Sequence, residues 1–165
     1  MSHRVLIIGP SGSGKTTVGK AIAAALHCDF TDADDLHPQA NVEKMRRGEP
    51  LNDADRWPWL DRVAGVIGKH KQAGTNVVLA CSALKRSYRD RLREADVGAR
   101  FFLLTAPQSV LEARAQNRAR HFMPASLVAS QLATLEQPDA DENAVVLDAT
   151  QPVDRLVAHV MAALR

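Results

Sequence analysis

Short, almost uninterrupted apolar runs alternate along this chain with longer segments in which apolar residues recur every three or four positions. The apolar runs predict five strands, over Arg4–Ile8, Asp29–Ala33, Asn76–Ala80, Phe101–Thr105 and Val145–Asp148. The longer segments predict helices near Thr16–Leu26, Pro58–Lys71, Lys85–Ala95, Pro107–Ala115, Ala125–Leu135 and Val153–Leu164. Strands without polar alternation are typical of parallel sheets that helices cover on both faces. The pattern therefore predicts an α/β three-layer sandwich with a five-stranded parallel sheet.

The length of 165 residues fits a single domain over 1–165. Two polar segments interrupt the alternation of strands and helices. The first, about 34–60, is dense in Asp, Arg and His, and the second, about 114–124, is basic. Loops beyond the carboxyl ends of parallel strands carry the chemistry in folds of this class. We therefore expect a substrate-binding insertion at 34–60 and a mobile lid at 114–124.

A glycine-rich segment at residues 9–16 stands between the first predicted strand and the first predicted helix. Its sequence, GPSGSGKT, fits the phosphate-binding pattern G-x-x-x-x-G-K-[ST]. In that context the backbone N–H groups and the helix N-terminus cradle phosphates, Lys15 contacts the β- and γ-phosphates, and Thr16 offers a hydroxyl to Mg²⁺. A simple glycine turn would not explain Lys-Thr at this offset. The residues expected to bind ATP are Gly12, Ser13, Gly14, Lys15, Thr16 and Thr17.

Two carboxylates close the second predicted strand, and alternation along a strand would place Asp32 and Asp34 on the same side. The third strand ends in Leu-Ala-Cys-Ser and offers no carboxylate, so motor ATPases and switch GTPases are disfavoured. Asp32 is then the expected carboxylate in the outer shell of Mg²⁺, and Asp34 the one that faces an acceptor hydroxyl. The alternative is that one of the two only caps the following turn.

Basic residues follow the third and fourth predicted strands. Lys85 and Arg86 come directly after the third strand and are well placed to bind an anionic substrate, whereas some of the arginines at 89–93 are ordinary solvated charges. Arg114 and Arg118 are four residues apart and share a helical face. This spacing suits a lid that supplies positive charge to a transferring phosphoryl group, although a basic surface helix remains the alternative.

The composition of the chain argues against nucleic-acid and membrane partners. The formal net charge is only +2 and aromatic residues make up 4% of the chain, so neither charge nor stacking platforms favour nucleic acid. The longest apolar runs are far shorter than the ~20 residues of a membrane span. The two cysteines, Cys28 and Cys81, lack metal-binding or redox spacing and are expected to be buried, reduced thiols. Together these features favour a cytoplasmic protein without membrane or nucleic-acid partners.

The motifs resemble those of the thermoresistant-type gluconate kinases, P-loop kinases related to shikimate kinase and the nucleoside monophosphate kinases. The most specific part is the block D-L-H-P…K-M…G-x-P-L-x-D-x-D-R-x-P-W-L at residues 35–60. Further matches are C-S-A-L-K at 81–85, Y-R-D at 88–90, H-F-M-P at 121–124, Gln131 and the stretch 135–142. The resemblance extends from Val5 to about Asp148. The P-loop alone would be shared with very many proteins.

The resemblance implies transfer of the γ-phosphoryl group of ATP to the 6-hydroxyl of D-gluconate by a homodimeric, Mg²⁺-dependent enzyme. It implies Lys15, Asp34 and Arg118 as catalytic residues, with Arg114 as a second lid residue at the nucleotide. The substrate-binding set that it implies is Asp34, His37, Arg56, Lys85 and Arg86. A kinase for shikimate or a nucleoside monophosphate, and a module that binds ATP without turnover, are the competing interpretations. Trp57 and Trp59 could stack on a sugar, but Pro58 between them favours a helix start packed on the core.

Overall fold

A computed structural model describes residues 2–117 and 127–165. Its sheet has five parallel strands in the order β2-β3-β1-β4-β5. The strands are β1 (Arg4–Ile8), β2 (Asp29–Asp32), β3 (Val77–Cys81), β4 (Arg100–Thr105) and β5 (Val145–Asp148). This confirms the α/β prediction and all five predicted strands, with bounds that differ by at most one residue. The carboxyl ends of the strands meet at one edge, where the functional groups are expected.

Helices cover both faces of the sheet. In the described residues they are α1 (Lys15–Leu26), α2 (Gln39–Arg46), α3 (Asp53–Ala73), α4 (Arg86–Ala95), α5 (Gln108–Gln116), α6 (Leu127–Thr134) and α7 (Val153–Ala163). Two short 3₁₀ turns, Ala33–Leu36 and Ala140–Glu142, follow β2 and precede β5. Six of the helices match the predicted ones, whereas α2 was not predicted, because only two of its residues, Asn41 and Met45, are buried.

Alternation along the central strand divides the core in two. Leu6 and Ile8 of β1 point to the face covered by α3 and α4, whereas Val5 and Ile7 point to the face covered by α1 and α7. All four side chains are completely buried. A strand that is apolar on both sides therefore supports two layers of helices, and its carboxyl end is fixed from both faces.

Helix α3 begins earlier than the sequence predicted. Asn52 caps it, and a reciprocal pair of hydrogen bonds between Asn52 and Asp55 forms a capping box, so the helix starts at Asp53 and Pro58 lies inside it. The predicted start at Pro58 is wrong because this cap outweighs the backbone bond that proline lacks. Trp59 is buried in the core as predicted, but Trp57 is 38% exposed and lies outside it.

Neither cysteine of the described residues forms a disulfide. Both cysteines there are free thiols, Cys81 being buried as expected and Cys28 only partly so. Burial raises the pKa of the Cys81 thiol to about 12, so it stays protonated and unreactive. No helix within the described ranges has both the length and the apolar character needed to cross a bilayer.

One arginine of α4, Arg89, is fully buried and is therefore not one of the solvated charges expected among the arginines at 89–93. Arg89 donates to Glu142 from Nε at 2.7 Å and from Nη2 at 3.2 Å, and to the carbonyls of Ala83 and Leu84 at 3.1 Å each. The side chains of Arg89 and Glu142 are both inaccessible to solvent. This ion pair ties the segment before β5 to the loop after β3.

We predict that Glu142→Gln lowers the free energy of unfolding by about 3–5 kcal/mol at pH 7, because it leaves the buried Arg89 charge unpaired. Urea unfolding measures the change. The matched control is Asp61→Asn, which removes an exposed partner of Arg91, an arginine that lies on α4 as Arg89 does. It should lower the free energy of unfolding by less than about 1 kcal/mol. Equal effects of the two substitutions would contradict a special role for the buried pair.

The same pair predicts a pH dependence. Burial raises the pKa of Glu142, but hydrogen bonds from Arg89, the Asp139 N–H and Arg93 outweigh burial and lower the pKa to about 2. A carboxyl whose pKa is lower in the folded state stabilises the protein above its ordinary pKa, and that contribution is lost as the pH falls. The difference between the wild type and Glu142→Gln should therefore shrink between pH 4.5 and 2. A constant difference across that range would contradict the assignment.

Candidate active site

The phosphate-binding loop connects β1 to α1 through backbone conformations that favour glycine. Gly9 and Gly12 have φ angles of 143° and 83°. A Cβ atom at Gly12 would lie 2.3 Å from the Leu111 carbonyl oxygen, and one at Gly9 would lie 2.6 Å from that of Leu104. Any larger residue would push the loop away from β4 and α5, so these two positions require glycine.

The loop opens on a cavity of about 380 Å³. Gly12, Ser13, Gly14, Thr16 and Thr17 form its polar side, and Ala149, Val153 and Leu156 are among its apolar wall residues. Arg114 of α5 also lines it, so the structure brings this predicted residue to the nucleotide-binding loop. Arg118 and the lid residues 118–124 lie outside the described residues. A polar cradle beside an apolar wall fits the phosphates and the base of a nucleotide.

The groups of the loop fit a phosphate chemically. The hydroxyls of Ser11 and Ser13 are buried, and neither has a hydrogen-bond partner among the described residues. Lys15 is buried and its Nζ donates to the Pro10 carbonyl at 2.9 Å, so its charge is held inside the loop. Buried hydroxyls without partners are costly unless a ligand satisfies them. The triphosphate of ATP supplies acceptors of this kind.

Thr16 and Asp32 form a pair suited to Mg²⁺. The Thr16 hydroxyl donates to Asp32 Oδ2 at 3.2 Å. Burial first, and then the charge of Asp34, raises the pKa of Asp32, as expected for carboxylates that a cation would neutralise. Within the described ranges no group of three or more His, Cys, Asp or Glu side chains could hold a metal by itself. Mg²⁺ commonly uses one or two protein oxygens together with phosphates and water, so the pair is sufficient.

Asp34 does not lie on a strand, so the prediction that it shares a strand face with Asp32 is wrong. Strand β2 ends at Asp32, whose Oδ1 accepts the Asp34 N–H at 3.0 Å and thereby caps the 3₁₀ turn Ala33–Leu36. Asp34 thus lies on a helical turn, where strand alternation does not apply. Its charge still raises the pKa of Asp32 and opposes the lowering of the His37 pKa. The turn Ala33–Leu36 thus carries Asp34 between Asp32 and His37 along the chain, and its charge acts on both.

A second cleft lies beside the loop, and its walls come from distant parts of the chain. Its lining includes His37, Arg56 and Trp59 from the insertion, Ser82 after β3, and Leu127, Ser130 and Gln131 from α6. The structure thus brings together two predicted substrate residues, His37 and Arg56. Its free volume is only about 20 Å³, so its walls must separate to admit a sugar acid. We refer to it as the acceptor cleft.

His37 is held as a neutral ring in the acceptor cleft. It stacks on Trp59 with ring centroids 4.2 Å apart, and its Nδ1 lies 3.2 Å from Asn41 Nδ2. An amide nitrogen can only donate, so Nδ1 accepts and the proton of the neutral ring is on Nε2. Burial, opposed by Asp34 and assisted by Arg56 and Arg62, lowers the pKa of His37 to about 4. His37 is therefore a hydrogen-bonding group rather than a cation at neutral pH.

Arg56 is held in place by residues that the sequence did not single out for chemistry. Its Nη1 donates to the Tyr88 hydroxyl at 2.8 Å, and that hydroxyl donates to Asp53. Lys85, a predicted substrate residue, also binds Asp53, with Nζ 3.1 Å from Oδ1. Local spacing could not reveal this cluster, because Tyr88 and Asp53 are far apart in the chain and meet only through the packing of α3 against α4.

Arg86 does not join the acceptor cleft. Its guanidinium binds Asp139 at 2.9 Å and Asp141 at 2.8 Å, with Asp90 at 3.5 Å, and these hydrogen bonds raise its pKa. A cation with three carboxylate partners has little charge to offer a substrate. The predicted substrate contact of Arg86 is therefore at odds with the structure, which instead uses Arg86 to hold the segment before β5.

The chain is similar to characterised proteins over nearly all of its length. A family model described as an AAA domain matches residues 5–138. The gluconokinase of Gluconobacter oxydans is 45% identical over 96% of this chain and 91% of its own. The thermoresistant gluconokinase of Escherichia coli is 40% identical, and the match covers 99% of this chain and 94% of that protein. A sugar kinase from Janibacter sp. HTCC2649, known from an unliganded crystal structure, is 43% identical in sequence. The structural match covers 99% of this chain and 95% of that one, with a TM-score of 0.93.

We predict that the His37 ring titrates with a pKa of about 4 rather than 6.5. An unfolded chain then takes up a proton between those values that the folded protein does not, so stability falls as the pH drops from 6.5 to 4. Proton NMR follows the ring, and the His37→Gln variant assigns the resonance. Urea unfolding of that variant should show a weaker loss of stability in the same range. A midpoint near 6.5 would contradict burial of the neutral ring.

Proposed function

The chain belongs to the gluconokinase family, and we propose that it transfers the γ-phosphoryl group of ATP to the 6-hydroxyl of D-gluconate. One observation carries the proposal: the phosphate-binding loop and the acceptor cleft lie side by side at one edge of the sheet. Ser82 lines the cleft and its carbonyl accepts the Gly9 N–H of the loop at 3.3 Å. Phosphoryl transfer needs close positioning and charge stabilisation more than covalent chemistry from the protein.

The nucleotide side of the site is assigned to the loop. Residues 12–17 and Arg114 bind ATP, and Lys15 stabilises the charge that develops on the transferring oxygens. Mg²⁺, when bound, would supply positive charge that offsets the negative charge of the phosphates. Thr16 and Asp32 hold it, because their oxygens already meet beside the loop. Arg118 is kept as a catalytic lid residue on sequence grounds alone.

The acceptor side is assigned by the chemistry of gluconate, which carries one carboxylate and a row of hydroxyls. Arg56 is the cation for the carboxylate, and His37 bonds hydroxyls. Lys85, which shares the partner Asp53 with the Tyr88 hydroxyl that binds Arg56, is a second cation for the same group. Asp34 orients or deprotonates the 6-hydroxyl, since its charge acts both on Asp32 and on His37. We also propose a homodimer and a cytoplasmic location, as the family resemblance and composition suggested.

The experiment that tests the function compares acceptors in an assay of ADP release. We expect D-gluconate to exceed D-glucose in kcat/KM by at least about a hundredfold, because glucose lacks the carboxylate that Arg56 would bind. Shikimate and nucleoside monophosphates should give only background rates. ADP release with no acceptor at all, or a faster rate with one of these other acceptors, would contradict the proposal.

We predict that Asp34→Asn lowers kcat by about 10²–10⁴-fold while the affinity for ATP changes little, since the variant loses charge and basicity but keeps its size. Steady-state kinetics with gluconate and equilibrium binding of a nonhydrolysable ATP analogue separate the two effects. Asp35→Asn is the matched control, because the adjacent carboxylate is exposed, and its kcat should stay within about twofold. Similar kcat values for both variants would assign Asp34 a structural role only.

A further inference from the structure

Gln131 is a buried polar side chain that touches both halves of the site. Its Oε1 accepts the backbone N–H of Ser11, within the phosphate-binding loop, at 2.6 Å. The same side chain lines the acceptor cleft together with His37 and Arg56. Only 8% of the residue is exposed, and the Ser11 backbone is buried with it. Among the hydrogen bonds of the described residues, this one directly joins α6 to the loop that binds phosphate.

Helix α6 is anchored at both ends, so the position of Gln131 is well defined. Val128 packs with Leu111 and Ala115 of α5, and Leu127, one turn before Gln131, packs with Met45 and Leu51. After the helix, the Glu136 N–H donates to the Leu84 carbonyl at 2.8 Å, and Glu136 Oε1 accepts the Arg86 N–H at 2.9 Å. The carboxamide is therefore held at the boundary between the two pockets by its helix and not by a flexible loop.

The chemistry of the contact fixes the orientation of the carboxamide. A backbone N–H can only donate, so Oε1 must face Ser11 and the NH₂ group must point away from it. Ser11 is the third residue of the glycine-rich motif, in a loop whose N–H groups bind phosphate. While Gln131 accepts this N–H, the donor is not available to a phosphoryl oxygen. Any rotation of the carboxamide toward the cleft would release it.

We propose that Gln131 is a positioning residue that couples the acceptor cleft to the phosphate-binding loop. The proposal rests on the proposed function, in that the coupled ligands are D-gluconate and ATP. An acceptor hydroxyl in the cleft draws the carboxamide away from Ser11, and the released N–H then binds the terminal phosphoryl group. Each ligand thereby strengthens the binding of the other, and by linkage the two effects are equal.

The test uses the Mg²⁺ complex of β,γ-imido-ATP and calorimetry with and without D-gluconate. For the wild type we expect gluconate to tighten binding of the analogue by at least about fivefold. Gln131→Leu frees the Ser11 N–H permanently, so the analogue should bind this variant without gluconate about as tightly as it binds the wild type with gluconate. In this variant the ratio of the analogue's Kd without gluconate to its Kd with gluconate, the coupling factor, should fall to about one. The KM for gluconate should rise about tenfold.

Two further variants separate coupling from a purely structural role. Gln131→Glu keeps an oxygen for the Ser11 N–H, so it should not tighten analogue binding in the absence of gluconate. Thr134→Ala removes a 3.0 Å hydrogen bond to the Ser130 carbonyl on the same helix and should leave the coupling factor at the wild-type value. Thermal melting confirms that each variant is folded.

Failure of the proposed coupling through Gln131 can be distinguished from failure of the proposed gluconate kinase activity. Weaker analogue binding by Gln131→Leu, or a coupling factor that persists in it, would overturn the proposal even if gluconate is phosphorylated. Absence of gluconate phosphorylation by the wild type would overturn the proposed function. In that case tighter analogue binding by Gln131→Leu alone would still support release of the Ser11 N–H.

Discussion

The close approach of the phosphate-binding loop to the backbone of β4 and α5 determines where the rest of the site lies. Hydrogen takes the place of Cβ at Gly9 and Gly12, and this lets the loop pack against the carbonyls of Leu104 and Leu111. Because Leu111 is fixed in this way, Arg114 on the next turn of α5 is brought to the nucleotide cavity. The helix N-terminus that follows Gly14 then adds its positive end to the same cavity.

The acceptor cleft depends on a different kind of interaction, the burial of charge. Arg89 and Glu142 hold the segment before β5 against the loop after β3. Glu136 binds the Leu84 carbonyl of that loop and the Arg86 N–H at the start of α4. Leu84, whose carbonyl accepts from both Arg89 and the Glu136 N–H, also lines the cleft. Loss of the buried pair should therefore disturb substrate binding as well as stability, because both depend on the position of the same segment.

Features encoded locally could be predicted from the sequence, and features formed by distant residues could not. The loop at 9–16 and the apolar strands follow from short patterns, so the fold and the place of the glycine-rich loop between β1 and α1 were predictable. The ion pairs of Arg86 with Asp139 and Asp141 join residues about fifty positions apart, so Arg86 was assigned to the substrate instead. The second strand was expected to continue past Asp32 to Asp34, but the cap that Asp32 provides to the next turn ends the strand at Asp32. Gln131 was one of the residues that carried the family resemblance, but the sequence assigned it no role. Its hydrogen bond with Ser11 is what suggests that it positions the loop.

The central claim is that this chain moves the terminal phosphoryl group of ATP to the primary hydroxyl of D-gluconate. Phosphorus NMR of the complete reaction tests it most directly, because the coupling pattern of the product identifies the carbon that bears the phosphate. Transfer to the primary hydroxyl should remove the γ-phosphate signal of ATP and give an equal phosphomonoester triplet, from coupling to the two protons of a CH₂ group. A doublet from a secondary ester, or inorganic phosphate as the sole product, would contradict it.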